Sequence, residues 1–421
     1  MSAQPRTRRE AREHRTATRL RSLLTAAVAT TVAVAPWSER AVAPLMALVC
    51  VFAGVVVLFE RHVHVPMTLR ACALVPIGQT LTLPFAPDLP WSWRLVAMSW
   101  MGWICALGVA QLDARRRAWM LVAVSASAAV VAFGSLADLG ALSSHEGGGV
   151  INGRLQGPLA QPNELGSLMQ MALPFVLLTT FAAWASRDGR ILARTWRVTS
   201  VVGLAGVVAA LVFSLSRGAW IGTLVTLTLV ALVRPAARRG LLTFGLALVL
   251  VGALAAAAGG SFVSAVSARF DSLTSPTRSA SDERPAIWAY AGELVDGRPF
   301  TGVGVGGLPE TAGDATFGMT NVAPLHAHSI VLTALAEGGL LALATLSVLL
   351  VVGVRVLARM NARGAPVVEV AAAAALAGAF VHGVIDFPWR APALTATTWL
   401  LVGLLPVGVT RSRRSSTKGN P

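Results

Sequence analysis

Apolar runs of about 18 residues or more recur from near residue 23 to near residue 409. A run of that length, almost free of charge, is what a helix needs to cross the hydrocarbon core of a bilayer. In lipid every backbone polar group must be satisfied within the chain, so repeated runs of this kind specify packed helices rather than an open sheet. Only 13% of the residues are charged, against roughly 25% in a soluble globular chain. The chain is therefore read as an all-α, polytopic integral membrane protein.

The runs predict about twelve transmembrane helices, near 23–38, 41–59, 67–85, 94–112, 118–138, 164–186, 199–215, 218–233, 241–259, 328–354, 367–385 and 393–409. The first is short, and the third carries Arg70, Pro76 and Gln79. Residues 1–22 form a basic tail, 23–410 the membrane domain and 411–421 a second basic tail. The first tail is followed by helices rather than a soluble domain. It is read as an orientation signal and a contact for anionic membrane lipids, not for nucleic acid. Cys50, Cys72 and Cys105 all fall inside apolar runs, which makes them small buried hydrophobes without a disulfide framework.

With both termini cytoplasmic, 26 of the 35 basic residues fall in inner segments, as the positive-inside rule requires. Two outer segments stand out: the Gly-rich stretch 139–163 and the connection 260–327. A structureless connection of the second length is unusual. It is expected to contain a short helix, capped by Ser281 or Asp282, with Pro285 in its first turn and Gly297 at its end. Ile287, Trp288, Ala291, Leu294 and Val295 make its apolar stripe, suited to the outer membrane surface or to capping a cavity.

Outer arginines run against the positive-inside rule and so draw notice. Arg154, Arg217, Arg284 and Arg298 sit in "GRLQGPLAQPNELG", "SLSRGAW", "ERPAIW" and "GRPFTGVGVGG". Guanidinium is always charged and forks onto phosphate oxygens, so a converging set suits a polyanionic headgroup. Taken singly, such arginines also serve as interfacial anchors. The "GVGVGG" run neither follows a buried strand nor opens a nucleotide-binding unit, and it is read as a glycine turn. The outer side has no Asp-x-Asp pair, and His326-x-His328 lacks an obvious third ligand, so no metal or other cofactor is expected. His326 and His328 stand at the outer mouth of a span, His328 beginning it, where imidazole suits proton transfer. Glu337, two and a half turns inward, either orients a histidine through a partner or holds helices together, while Gly338-Gly339 lets another helix pack close. His382 and Asp386, spaced i,i+4 at a span end, share one helix face.

These pieces resemble the O-antigen ligase and O-antigen polymerase family of membrane glycosyltransferases. The matching stretches are "GRLQGPLAQPNELG", "FSLSRGAWIG", "ERPAIW…GRPFTGVGVGG", "HAHSIVLTALAEGGLLAL" and "DFPWRAPALTATTWLLVGL", covering about residues 150–405. The resemblance implies a metal-independent, inverting transfer of a glycan from an undecaprenyl diphosphate carrier to an acceptor hydroxyl. The acceptor is a glycan or glycolipid, and the reaction takes place on the outer face of the cytoplasmic membrane. It implies His328, Arg217 and Arg284 as catalytic residues. Arg154, Asn163, Arg298, His326 and Glu337 would bind substrate. Ser329 stands where the family commonly has asparagine, and His326 is a second histidine beside the expected one. A polymerase of the same family is the alternative. A glycolipid transporter or flippase is the alternative from another class, and it would need polar groups along a path through the membrane.

Overall fold

The computed structural model describes residues 8–59, 63, 65–139, 146–147, 149–151, 153–186, 190–246, 284–312 and 325–405. The first half comprises α1 (Arg8–Val34), α2 (Glu39–Phe59), α3 (Met67–Cys72), α4 (Leu74–Thr82), α5 (Leu89–Ala110) and α6 (Ala114–Leu136). Three two-residue strands follow: β1 (Glu146–Gly147), β2 (Val150–Ile151) and β3 (Arg154–Leu155). They pair antiparallel in the order β1-β2-β3, with Ile151 opposite Arg154. The second half comprises α7 (Pro162–Ala185), α8 (Ile191–Phe213), α9 (Arg217–Val233), α10 (Arg284–Gly297), α11 (Leu308–Ala312), α12 (Ile330–Arg363), α13 (Val367–Ile385) and α14 (Pro392–Gly403).

Among the described residues, eight helices are long and apolar enough to cross a membrane. The chain is thus a multi-pass membrane protein of all-α type, with one small sheet that the apolar periodicity does not announce. A ninth crossing is reached if α9 and its continuation Pro235–Leu246, bent by 117°, count as one broken span. The expected span 67–85 is broken into α3 and α4. Pro76, in the first turn of α4, lacks the N–H that would continue the helix from α3. The expected span 241–259 lies largely outside the described residues, and the tail 411–421 and all of 260–283, with Ser281 and Asp282, lie wholly outside them.

Local capping sets where several helices begin. Asp88 accepts the N–H of Trp91 at 3.0 Å ahead of α5. Asp113 accepts that of Arg116 at 2.9 Å ahead of α6. Helix α7 is apolar all round, from Leu165 through Met169 and Phe175 to Leu177, and it is buried accordingly among α6, α8, α9 and α13. The tightest crossing is α9 on α13. A Cβ on Gly222 would lie 2.5 Å from the carbonyl oxygen of Gly378, so only glycine permits the approach. Thr226 donates to the Ala374 carbonyl at 3.1 Å, and Gln170 donates to Thr226 at 2.8 Å. Interhelical hydrogen bonds thus add to the van der Waals contact.

The elements between residues 284 and 312 dock on α12. Ile287 and Ala291 of α10 bury against Leu308, Ala312, Ala327 and Ala336, and the Trp288 indole donates to the Ala327 carbonyl at 2.9 Å. The apolar stripe therefore packs on protein, not on the membrane surface. Gly338-Gly339 likewise receives a loop and not a helix. At Gly339 the backbone leaves helical geometry (φ 56°, ψ −150°). The Ala336 carbonyl then accepts Val303 N–H, and Leu340 N–H reaches the Pro299 carbonyl, both at 2.8 Å. The "GVGVGG" turn is this inserted wedge. Cys50, Cys72 and Cys105 are free thiols; Cys105 is buried as expected, whereas Cys50 and Cys72 are only partly buried.

Candidate active site at one end of the helix bundle

Five chain segments bring charged side chains to one end of the bundle. They are the β3–α7 connection, the α8–α9 turn, the start of α10, the turn before α12 and the end of α13. Arg154, Asn163, Leu215, Arg217, Gly218, Arg284, Ile385 and Asp386 line a cleft there. The four residues Arg154, Asn163, Arg217 and Arg284, picked out far apart in the sequence, thus share one pocket wall.

Asp386 is the hub. It follows α13 in extended conformation and is 4% exposed. One carboxylate oxygen lies 3.0 Å from His328 Nδ1 and accepts the Phe387 N–H at 2.8 Å. The other accepts from the Asn163 amide and faces an Arg284 nitrogen at 3.5 Å. Arg154 completes the chain. It donates to Asn163 Oδ1 at 2.5 Å and to the Ser214 carbonyl at 3.1 Å. Burial would raise the Asp386 carboxyl. The His328 hydrogen bond and the Arg284 charge outweigh it and hold the group below the ordinary carboxylate range.

His328 does not begin the helix. Ser329 is the N-cap of α12, its hydroxyl facing Leu332 N–H at 3.5 Å, which leaves His328 in the preceding turn. Its φ is +48°, and the only other non-glycine residue with positive φ among the described residues is Leu215, on the pocket wall. Two costly backbone conformations at one site are the mark of a geometry held by its surroundings. Part of that support is His326. Its Nδ1 accepts the His328 N–H at 3.1 Å, and its ring packs edge-on against His328 and Phe387. Burial, then the charge of His328, pushes the His326 imidazole down to about 3, so it stays neutral.

Two expected site residues fall elsewhere. Arg298 follows α10 on the exposed surface and does not line the pocket. Glu337 is buried and pairs with Arg390 on one oxygen while accepting the Gly306 N–H at 2.9 Å on the other. It anchors the glycine wedge to the 388–390 turn and does not orient a histidine. The residue missing from the expected site is Asp386. Its visible signal is an ionisable group at the mouth of a span. The i,i+4 pairing with His382 misdirects, because Asp386 bonds His382 only through its backbone N–H to the His382 carbonyl, at 3.0 Å.

Ligand atoms of His326, His328 and Asp386 lie within 4.8 Å of one another, which is close enough for a metal ion. In this arrangement His326 Nδ1 and His328 Nδ1 already have protein partners.

The fold and site together define a multi-pass membrane protein with a carboxylate–histidine pair beside an arginine-walled cleft. Residues 201–347 match the family model described as O-antigen ligase. The family's activity is glycan transfer of the ligase or polymerase type. The matched stretch contains Arg217, Arg284 and His328, whereas Arg154, Asn163 and Asp386 lie outside it. No curated protein sequence matches the chain.

Proposed function

We propose that the protein transfers a glycan from an undecaprenyl diphosphate carrier to an acceptor hydroxyl at the outer face of the cytoplasmic membrane. The observation that carries this reading is the His328–Asp386 contact at 3.0 Å, set against a pocket wall that bears Arg217 and Arg284. The ionised Asp386 holds the Nδ1–H tautomer of His328, which leaves Nε2 as the base. Nε2 takes the proton of the acceptor hydroxyl as its oxygen bonds to the anomeric carbon. The glycosidic C–O bond breaks, and its electron pair leaves on the diphosphate. Arg217 and Arg284 stabilise the charge that gathers there, the work a metal does in other transferases. Attack opposite the leaving group inverts the anomeric centre. Arg154 and Asn163 hold Asp386 in place.

Glycan analysis in a strain lacking the gene tests the reading. Short carrier-linked units with no long chains mean polymerisation, and long chains stranded on the carrier mean ligation. An unchanged profile for both carrier-linked and surface glycans would overturn the reading. The close approach of His326, His328 and Asp386 favours metal-assisted transfer as a second reading. Turnover by purified protein in excess chelator decides between them: activity that is lost and then restored by a divalent ion selects the metal.

A further inference from the structure

His382 lies in α13, one turn before Asp386, and is 0% exposed. Neither ring nitrogen has a hydrogen-bond partner among the described residues. Buried polar groups in native proteins are almost always met by protein, water or ligand. The ring packs against the start of α9. A Cβ built on Gly218 would stand 2.2 Å from His382 Cδ2 and 2.7 Å from Nε2. Gly218 itself lines the cleft, beside Leu215 and Arg217.

That neighbour is the N-terminus of a 17-residue helix, entered through Ser216, whose hydroxyl faces the Ala219 N–H at 3.4 Å. The first turn of a helix directs N–H groups and the positive end of its dipole outward, which makes it a place for an anion. Three features of one point therefore agree: the helix terminus, the Arg217 guanidinium and a buried imidazole with no partner.

We infer that His382 and the first turn of α9 form the seat for a phosphate group, with His382 donating a ring N–H to a phosphate oxygen. This rests on the donor assigned above, and it adds a binding residue that the arginines do not account for. The seat lies one helical turn from Asp386. A donor held there would present its scissile bond near His328.

The test uses the full-length protein in detergent micelles, titrated separately with glycan-free undecaprenyl diphosphate and with inorganic pyrophosphate. His382→Phe keeps an apolar ring of similar size, and His382→Gln restores an N–H. Loss of one hydrogen bond to a charged group should weaken undecaprenyl diphosphate binding roughly tenfold in His382→Phe. His382→Gln should recover most of it. In turnover, KM for the donor should rise with kcat near wild type. Gly218→Ala, whose methyl would meet the ring, should weaken the same ligand and serves if His382→Phe does not fold. Binding unchanged in both His382→Phe and Gly218→Ala overturns the seat and leaves the proposed reaction standing. A wild-type protein that binds neither probe overturns both. Pyrophosphate binding that depends on His382, without binding of the lipid, keeps the seat and removes the lipid donor.

Discussion

The two ends of the bundle use arginine differently. At one end Arg117, 6% exposed, faces Glu369 at 3.4 Å and donates to the carbonyls of Leu404 and Leu405 at the close of α14. Arg234 bonds the Ala365 carbonyl in the same region. These guanidinium groups satisfy helix ends and hold neighbouring elements together. At the other end Arg217 and Arg284 flank a cleft whose hub is a buried aspartate bonded to a histidine. The same residue type serves as a fastener at one end and as a cleft wall at the other. What separates the two is whether the guanidinium lines the cleft beside the Asp386–His328 pair.

The sharpest way to break that contrast is to remove the base. His328→Ala and Asp386→Asn should each lower kcat by roughly 10²–10⁴-fold, the usual worth of general acid–base catalysis. Donor binding should survive His328→Ala. Steady-state turnover with carrier-linked glycan measures both quantities, and near-normal kcat in either variant would move the chemistry away from this pair. Arg217→Lys comes next, with a loss of roughly 10²–10³-fold, comparable to the removal of one donor to a developing anion. Lysine keeps the charge but loses the fork. Full activity there would make Arg217 a fastener like Arg117.

How much of this could be read from the sequence differs between the two ends. Apolar run lengths fix most of the helices, and Arg154, Arg217 and Arg284 with His328 stand out against a chain that has few charges. Asp386 does not stand out, because its importance comes from meeting residues 58 and 223 positions away, His328 and Asn163. Arg298 stands out in the sequence, yet it is an exposed residue after α10. The Gly338-Gly339 pair reads as helix packing, and the fold uses it for a loop. A local pattern shows that a backbone can come close, not which partner arrives. The break at Pro76 was legible in principle, since a proline within an apolar run interrupts the helix.

Intermediate effects test the supports of each end. Asn163→Ala frees one Asp386 oxygen and one Arg154 donor, so kcat should fall roughly tenfold, the lower range for residues that orient a functional group. A loss as large as that of Asp386→Asn would mean that Asn163 touches substrate. At the other end, Arg117→Ala should leave activity per folded molecule unchanged and cost about 3–5 kcal/mol of stability, because it leaves Glu369 without its partner. Denaturation in detergent reads the stability change. A kinetic defect without a stability change would erase the distinction between the ends.

The smallest expected effect is the part of the pH dependence that His326 sets. His326 has a folded value of about 3, pushed down by burial and by the charges of His328, Arg390 and Arg284, with Asp386 opposing. Its unfolded value is about 6.5. Between these the unfolded chain binds more protons at this residue, so stability falls as the pH drops below about 6.5. Asp386 has the opposite protonation bookkeeping. Its stabilisation is present above its unfolded value of about 3.9 and is lost only as the pH falls through the lower folded value. The window from about pH 6.5 to 4 therefore lies above the range in which the Asp386 contribution is lost. After allowance for its partly exposed ring, roughly 1 kcal/mol is expected across that window. His326→Gln should flatten the decline by that amount while leaving kcat within about tenfold of wild type, short of the loss from removing a base. Melting curves of the two proteins at matched pH give the difference. A decline of equal slope in both would show that His326 does not set it, and a kcat loss in the 10²–10⁴ range would make His326 the base in place of His328.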